Sequence, residues 1–353
     1  MLVNGSQEAK WLLTADLQYN KYFMKAFIKS ISYYLPENEL TNDKINEEFP
    51  EWGIEKISSK TGINTRHISG IDEFVSDMAF NAAEKLFSEH SIDRNQIDFL
   101  LLCTQSPDYF LPTTACLLQN KLNLKTSTGA LDFNLGCSGF VYGLSLAKGL
   151  IAAGLAKNIL LITSETYSKY IHPKDKSNRT IFGDAAAATL VSDDTGMFEI
   201  GDFVFGTDGS GAENLIVKNG GVRFPVQDNQ DIVDEFGNVR NDNNLFMNGS
   251  EIFNFTSEAV PKLTKTILEK IRLEVADIDL FIFHQANRYM LSHLRKKIGI
   301  SEDKFYISMQ HCGNTVSSTI PIAIYEAIQE KKFNNCKNIL LSGFGVEIGR
   351  AHV

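Results

Sequence analysis

The sequence predicts an α/β protein of five layers, in the order helix, sheet, buried helices, sheet, helix. Two pairs of similar segments recur along the chain at nearly one spacing. "IDFLLLCTQSPDY" begins at Ile97 and "IDLFIFHQANRY" at Ile278, 181 residues later, while "KNILLITSE" begins at Lys157 and "KNILLSGFG" at Lys337, 180 residues later. Each is a short apolar run bounded by polar residues or glycine, which is typical of buried strands. The shared spacing indicates a duplicated α/β unit, and helices between buried strands indicate helical layers that cover sheets.

The elements of this fold follow in order along the chain. After an irregular lead-in, "MKAFIKSISYYLP" predicts the first strand, and residues 73–90 carry apolar side chains at helical spacing. Residues 138–153 are apolar nearly all round, which predicts a helix buried on every side. "IFGDAAAATLVSD" predicts a strand packed closely against another layer, because alanine permits close approach. Residues 251–272 predict a helix that breaks or begins at Pro261.

This pattern divides the chain into three regions. They are an N-terminal extension (residues 1–23), a first half with a candidate nucleophilic cysteine (residues 24–195) and a second half with candidate histidine and asparagine residues (residues 196–353). A chain of 353 residues is long enough for two domain-sized halves.

Composition narrows the class of protein. The net charge of −9 argues against nucleic acid as a general partner. No apolar run is long enough to predict a membrane span. The five cysteines form no CxxC pair and no regular framework, which indicates free thiols and a cytoplasmic protein.

Cys137 is the first candidate functional residue. In "DFNLGCSGFVYGLSLAKGL" it lies where an apolar strand ends and a buried helix begins. The positive end of a helix dipole stabilises a thiolate at such a position. Gly136 and Gly139 would allow a sharp turn and the close approach of a ligand. A small buried packing residue is an equally good interpretation of this segment taken alone.

His284 and Asn314 are the candidates in the second half. His284 follows the apolar run "LFIF", and catalytic groups of α/β proteins gather at the ends of strands, although a lone histidine there is more often structural. Asn314 lies in "HCGNTVSSTIP", which also fits a turn followed by an N-cap at Ser317 or Ser318. The repeat places the Asn314 loop opposite the Cys137 loop. If a pseudo-two-fold axis relates the halves, both loops and the His284 strand end meet near it.

Two further patterns bear on the chemistry. Gly343 and Gly345, in "LLSGFGVEIG", follow another buried strand and would let backbone N–H groups turn toward a ligand oxygen. His311, Cys312 and Cys336 are not predicted to bind a metal, because no second closely spaced ligand pair accompanies them.

These segments together resemble the 3-oxoacyl-[acyl-carrier-protein] synthase III family of condensing enzymes, within the thiolase superfamily. The resemblance runs from about Met24 to about Val346, and in this order its landmarks are specific: "KTGINTRHIS", "DFNLGCSGFVYGLSLAKGLI", "IFGDAAAA", "FHQANRYM" and "GNTVSSTIP". The resemblance implies a thiolase-like five-layered αβαβα fold, a homodimer, and acyl-CoA and malonyl-acyl carrier protein as substrates, with no cofactor and no metal.

The resemblance also implies roles for the candidate residues. Cys137 would carry the acyl group, and His284 and Asn314 would donate hydrogen bonds to the malonyl thioester oxygen as CO2 leaves. The backbone N–H groups of Cys137 and Val346 would form the oxyanion hole. The chain departs from the family after "GFGV", where Glu347 places a charge beside that loop.

Binding residues follow from the same resemblance. The predicted contacts to CoA and pantetheine are Arg66, Arg179, Gly249 and Phe253, and the predicted acyl-pocket loop, contributed across the dimer, contains Phe110, Leu111 and Thr113. Carrier-protein docking would use Arg288, Arg295, Lys296 and Lys297, which equally well form a solvated helix face.

Two rival functions stay open on the sequence. One is the same fold in a secondary-metabolite, polyketide or surface-polysaccharide pathway with another donor or acceptor. The other is a non-catalytic acyl-binding subunit, which the altered terminus at Glu347 would favour and the Cys137, His284 and Asn314 set would not.

Overall fold

A computed structural model of the chain describes residues 25–345 and the backbone of residues 350–352. The predicted N-terminal extension, Val346 and Glu347 lie outside the described residues. Among the described helices, none is both long enough and apolar enough to cross a bilayer.

The strands and helices alternate through most of the described chain. The strands are β1 (Phe27–Tyr34), β2 (Asn38–Thr41), β3 (Thr65–Ile68), β4 (Phe99–Cys103), β5 (Gly129–Phe133), β6 (Asn158–Glu165), β7 (Ala185–Ser192), β8 (Phe198–Glu199), β9 (Val204–Gly206), β10 (Leu215–Val217), β11 (Ile232–Val233), β12 (Val239–Arg240), β13 (Leu245–Met247), β14 (Leu280–Phe283), β15 (Phe305–Tyr306), β16 (Ile339–Gly343) and β17 (Arg350–His352). The α-helices are α1 (Asn42–Glu48), α2 (Ile54–Thr61), α3 (Val75–Glu89), α4 (Thr114–Lys121), α5 (Gly139–Ala152), α6 (Lys176–Arg179), α7 (Gly249–Ile271), α8 (Arg288–Ile298) and α9 (Thr319–Gln329).

Two larger sheets share one strand order. The first is ordered β5-β4-β6-β7-β1-β8 and the second β15-β14-β16-β17-β9. When the five matching strands of each sheet are counted in chain order, without β8 at the edge, both sheets read 3-2-4-5-1. In both sheets the second strand is parallel to the third and the fourth, and the fifth is antiparallel to the fourth. The duplication predicted from the sequence spacing is therefore confirmed, while the division of the chain at residue 195 stays a prediction.

Three buried clusters define the five layers. Helices α5 and α9 lie between the two sheets, where Phe140, Leu144 and Ile324 pack with Leu101 and Ile282. Helices α3 and α4 cover the outer face of the first sheet, and α7 and α8 cover the outer face of the second. Adjacent residues of β4 point in opposite directions, because side chains alternate along a strand. Both sheets thus bury both faces, and the predicted α/β five-layered fold is confirmed.

The alanine-rich strand β7 also matches its prediction. All eight of its residues are buried. Ala186 and Ala188 face the outer helical layer, whereas Ala185 and Ala187 pack against Cys312 and Ile322 on the other side. Small side chains on both faces let the flanking layers come close to this strand.

Two expectations about helices are wrong in detail. Helix α5 is not buried on every side, because Leu146 and Gly149 in its second half are exposed. Gly154 follows this helix with a φ of +70°, the left-handed conformation typical of a glycine that ends a helix. Helix α7 runs without a break through Pro261. It tolerates the missing N–H because buried residues on both sides of Pro261, such as Val260 and Leu263, anchor it.

Candidate active site

Cys137 lies at the N-terminal end of the buried helix α5. Ser138 is the N-cap residue, and the N–H of Gly139 donates to the carbonyl of Gly136 at 2.8 Å, which closes the turn before the helix. The thiol is partly exposed and packs against an apolar cluster that includes Phe182 and Val316. This position exposes the sulfur to the positive end of a helix of 14 residues, as the sequence predicted.

The glycine loop after β16 lies directly against Cys137. A Cβ atom on Gly345 would stand 2.9 Å from the Cys137 Cβ and 3.4 Å from its Sγ. A Cβ on Gly343 would stand 2.9 Å from the Cα of Ser138. Any side chain at these two positions would push the loops apart, so glycine is required for this approach. Val346, the predicted second oxyanion donor, is the next residue along the chain and lies outside the described residues.

His284 directly follows β14 and is buried. Its backbone N–H donates to the carbonyl of Ser342 at 2.8 Å, and its Nδ1 lies 2.8 Å from the Oγ1 of Thr319. The ring meets the Phe344 ring edge-on at 5.4 Å between centroids. Burial lowers the pKa of His284 to about 3, because the charged imidazolium would be desolvated there. The imidazole is therefore neutral at physiological pH.

Asn314 is held rigidly in the loop before α9. Its backbone N–H donates to the carbonyl of Ile181 at 2.9 Å, and its carbonyl accepts from the N–H of Gly183 at 3.0 Å. The side-chain Oδ1 accepts from the N–H of Val316 at 2.9 Å. Because a backbone N–H can bond only to the oxygen of the amide, this contact fixes Nδ2 as the donor end of the side chain.

Val316 connects all three predicted residues. Its side chain belongs to the cluster against which Cys137 packs, its N–H bonds to Asn314, and its carbonyl lies 3.0 Å from the Oγ1 of Thr319, which contacts His284. Its φ of +55° lies in the left-handed region, which β-branched residues rarely adopt. Backbone strain of this kind gathers at functional sites.

The two serines after Asn314 do not cap α9 through their side chains. The hydroxyl of Ser317 donates to the fully buried carboxylate of Glu165 at 2.9 Å, and that of Ser318 donates to the Thr163 carbonyl at 3.1 Å. These bonds fasten the Asn314 loop to the end of β6 in the first half. The Cβ of Ser317 also lies 3.5 Å from the position that a Cβ on Gly139 would occupy. The two loops thus meet as the repeat predicted. Ser318 is the N-cap residue of α9, as the sequence allowed, but its hydroxyl does not cap the helix.

The structure places the two predicted phosphate-binding arginines differently. Arg66 has no exposed surface and donates to the Oδ1 of Asn42 and the carbonyl of Thr180, so the prediction that it contacts CoA is wrong. Arg179 is partly exposed, but its guanidinium pairs with the carboxylate of Glu48, with Nη2 at 2.9 Å from Oε1. A phosphate would have to displace that carboxylate.

The other predicted binding residues occupy the surface. Gly249 is the first residue of α7, and Phe253 lies one turn later with its ring 5.5 Å from that of Tyr289 on α8. Phe110 and Leu111 are 77% and 85% exposed, and Thr113 is the exposed N-cap of α4. Within the described part of this chain, these three residues are not among those that pack around Cys137.

The basic residues of α8 divide into two pairs. Arg288, Lys296 and Lys297 are exposed and Arg295 is half-buried, but Arg295 and Lys297 have partners within the chain. Arg295 donates to the carbonyl of Ile300 at 3.1 Å and lies 3.5 Å from a carboxylate oxygen of Glu302, and Lys297 donates to Ser257 at 3.1 Å.

Sequence reasoning missed Thr319 and Val316. Thr319 begins α9 and resembles an ordinary residue of a helix N-terminus. The one signal in the sequence was their closeness to Asn314, because residues beside a functional side chain often orient the groups of the site.

Known proteins share both the sequence and the fold of this chain. The 3-Oxoacyl-[acyl-carrier-protein (ACP)] synthase III profile matches residues 131–209, and the profile of its C-terminal region matches residues 268–349. A beta-ketoacyl-[acyl-carrier-protein] synthase III of Clostridium perfringens is 36% identical over 312 residues, 88% of this chain and 93% of that protein.

Solved structures agree with these matches. A crystal structure of a 3-oxoacyl-(acyl-carrier-protein) synthase III has a TM-score of 0.90 and 50% identity, and it covers 93% of this chain and 98% of its own. A 3-oxoacyl-(acyl-carrier protein) synthase from Burkholderia xenovorans has a TM-score of 0.83 and 35% identity, with 93% of each chain covered. Because identity of this level extends over nearly the whole length of both chains, the protein belongs to the 3-oxoacyl-[acyl-carrier-protein] synthase III family.

Proposed function

We propose that this protein joins an acyl-CoA starter to malonyl-acyl carrier protein by decarboxylative Claisen condensation, the first carbon–carbon bond formation of fatty acid synthesis. The supporting observation is the meeting of three elements at one buried point. Cys137 directly precedes the N-cap of α5, and Gly345 lies against it. Val316 packs near Cys137 and connects to Asn314 and, through Thr319, to His284. A nucleophile and two neutral hydrogen-bond donors are the groups that this reaction needs.

The first step is transfer of the acyl group to Cys137. The thiolate attacks the thioester carbonyl of acyl-CoA, a new carbon–sulfur bond forms, and the CoA thiolate leaves and takes up the proton that the cysteine lost. The helix dipole of α5 favours the thiolate before attack. The oxyanion of the tetrahedral intermediate would accept from the backbone N–H groups of Cys137 and Val346.

The second step uses the two donors. Malonyl-acyl carrier protein places its thioester oxygen between His284 and Nδ2 of Asn314. The bond to the carboxylate breaks, CO2 departs, and the electron pair passes to the enolate, whose oxygen these donors stabilise. The enolate carbon then attacks the acyl-Cys137 carbonyl, and the cysteine thiolate leaves. Because decarboxylation supplies the carbanion and the steps are redox-neutral, the proposed route needs no base to remove a carbon-bound proton and no electron carrier.

For the phosphates of CoA, the exposed cations beside α2 are better placed than Arg66. Lys56 and Lys60 are exposed one turn apart on α2, and the side chain of Arg288 packs against Gly62 at the end of that helix. Arg288 is also only four residues beyond His284. In the described part of the chain these three side chains form no ion pair within 4.0 Å.

For the acidic carrier protein, we assign docking to Arg288 and Lys296 rather than to the whole basic run. Both are exposed, whereas Arg295 is half-buried and Lys297, although exposed, donates to Ser257 within the chain. Exposed cations raise the rate of encounter with an acidic partner, and this effect weakens as the salt concentration rises.

We also propose a homodimer whose interface includes the loop before α4. Strand β5 is an edge strand of the first sheet, and Leu131 on it is exposed. The neighbouring loop exposes three consecutive large apolar side chains, Tyr109, Phe110 and Leu111. Such a patch beside an open sheet edge is the kind of surface that a second copy covers, and it would bring Phe110 and Leu111 to the partner's acyl pocket.

Intact-mass measurement after incubation with a panel of acyl-CoAs tests the proposed function. We expect wild-type protein to gain the mass of one acyl group from at least one donor and Cys137→Ala to gain none. The donor that acylates the protein fastest also reports the length of starter that the pocket accepts. A wild-type protein that stays unmodified by every acyl-CoA would instead favour a non-catalytic acyl-binding subunit.

A further inference from the structure

Thr319 is the side chain that contacts the ring of His284 through a hydrogen bond. Its Oγ1 lies 2.8 Å from the Nδ1 of His284 and 3.0 Å from the carbonyl oxygen of Val316. All three residues are buried, with at most 2% of each side chain exposed. Among the described residues, Thr319 is the polar side chain that meets Nδ1, which leaves Nε2 for a substrate.

The proton of the Thr319 hydroxyl has two acceptors within reach. A neutral imidazole carries one N–H, on either Nδ1 or Nε2. If Thr319 donates to the Val316 carbonyl, Nδ1 must carry the imidazole proton, and Nε2 is then an acceptor only. If Thr319 donates to Nδ1, the imidazole proton stands on Nε2, which becomes a donor.

Only the second arrangement allows His284 to stabilise an enolate oxygen. Because burial lowers the pKa of His284 far below neutral pH, the ring cannot obtain a donor at Nε2 by taking up a second proton. The donor must come from the choice of tautomer, and Thr319 is the group positioned to make that choice.

We propose that Thr319 is a positioning residue that holds His284 in the Nε2–H tautomer for the malonyl step. The inference rests on the proposed function. The Thr319 Oγ1 lies closer to Nδ1 of His284, at 2.8 Å, than to the Val316 carbonyl, at 3.0 Å, and that carbonyl is the competing acceptor for the hydroxyl proton.

The test compares three variants. Thr319→Val removes the hydroxyl and keeps the shape, and Thr319→Ser keeps the hydroxyl. Thr315→Val is the matched control, because the Thr315 hydroxyl is also buried in this loop but has no hydrogen-bond partner among the described residues. Loss of a side chain that orients a metal-ligating histidine typically costs 10–100-fold, and we expect a similar effect for a catalytic histidine.

We expect Thr319→Val to acylate Cys137 at the wild-type rate but to decarboxylate malonyl-acyl carrier protein roughly 10- to 100-fold more slowly, as a fall in kcat with little change in KM. Thr319→Ser and Thr315→Val should stay within about threefold of wild type. Equal malonyl turnover in Thr319→Val and wild type would overturn the inference and leave the proposed function intact.

A spectroscopic measurement on wild-type protein does not depend on how the variants fold. In protein labelled with 15N-histidine, the signals missing from His284→Gln identify His284, and their shifts report which nitrogen carries the proton. We expect a protonated Nε2 in wild type and a loss of this preference in Thr319→Val. A wild-type ring protonated at Nδ1 would contradict the proposal, whereas a wild-type protein that accepts no acyl group would contradict the proposed function itself.

Discussion

The ends of β4 and β14 are equivalent places in the two halves, and they carry different residues. Cys103 ends β4, and His284 stands at the matching position after β14. Cys103 lies beneath the start of α5, where its Sγ donates to the carbonyl of Leu135 at 2.9 Å and abuts Gly139. His284 instead faces Thr319 at the start of α9.

The same contrast holds at the N-termini of the two buried helices. Helix α5 presents Cys137 just before its first turn, whereas α9 is preceded by the loop with Asn314 and by serines bonded to the first half. In the proposed function, one scaffold used twice would thus supply the nucleophile from one copy and the hydrogen-bond donors from the other. The difference shows that the repeated fold determines where a side chain lies, whereas the neighbouring groups that it contacts determine its chemical properties.

The largest expected effect distinguishes His284 and Asn314 in the second half from Cys103 at the end of β4. We predict that His284→Ala and Asn314→Ala keep acylation of Cys137 but slow malonyl decarboxylation by about 10²–10³-fold, since each removes one preorganised donor to a developing oxyanion. Cys103→Ala, at the equivalent place in the first half, should stay within a few-fold of wild type. Single-turnover assays on the pre-acylated protein measure this step. Normal condensation by either donor variant would show that its role is wrongly assigned.

A smaller effect should appear in stability where Cys103 supports α5. A Cβ on Gly139 would overlap the Cys103 sulfur, whereas a Cβ on Gly149, in the same helix, would meet nothing within 4 Å. We predict that Gly139→Ala lowers the free energy of unfolding by about 1–3 kcal/mol through overpacking. Gly149→Ala should raise it by up to about 1 kcal/mol, because alanine favours the helix.

Adding Cys103→Ala to Gly139→Ala tests whether overlap with the Cys103 sulfur causes the loss of stability. In the double variant Gly139→Ala/Cys103→Ala the overlapping sulfur is absent, so most of the lost stability should return. Urea unfolding of wild type, Gly139→Ala, Cys103→Ala and the double variant measures the free energy of unfolding of each. If the double variant were as unstable as Gly139→Ala alone, contact with Cys103 would not be the reason for the glycine.

The smallest effect concerns pH. Because burial lowers the pKa of folded His284 to about 3, the unfolded chain binds more protons between about pH 6.5 and 3, and stability should fall as the pH falls through that window. One such histidine changes the free energy of unfolding by roughly 1 kcal/mol per pH unit within that window. His284→Gln should therefore show a shallower decline than wild type from pH 6.5 to 5. If the stability of wild type and of His284→Gln fell equally steeply, the folded protein would accommodate a charged His284.

The sequence predicted more of the architecture than of the binding surfaces. Two segment pairs at one spacing were enough for the five-layered fold, because duplicated strands must occupy equivalent places in their sheets. The positions of Cys137 before a helix, His284 after a strand and Asn314 in a loop agree with the sequence, because strand ends and helix starts can be recognised from local patterns. Their roles came from the family resemblance and stay a proposal. Arg66 was misassigned, since nothing in "KTGINTRHIS" shows that this guanidinium has no exposed surface.

Pro261 illustrates the same limit for a helix. Local preference predicts a break, yet buried side chains on both sides of the proline hold α7 in one piece. Tertiary packing outweighs the loss of one backbone hydrogen bond.

By itself the sequence determined the order of the elements, the duplication and the residue types available for chemistry, because apolar periodicity and spacing are properties of the chain. Only the tertiary structure decided which of those residues meet. The contact of Thr319 with His284, the left-handed Val316 and the approach of Gly345 to Cys137 join segments that are far apart in sequence or depend on backbone angles that no local pattern encodes. Their physical cause is the packing of two copies of one fold against each other, which brings two helix starts and one strand end to a single buried point.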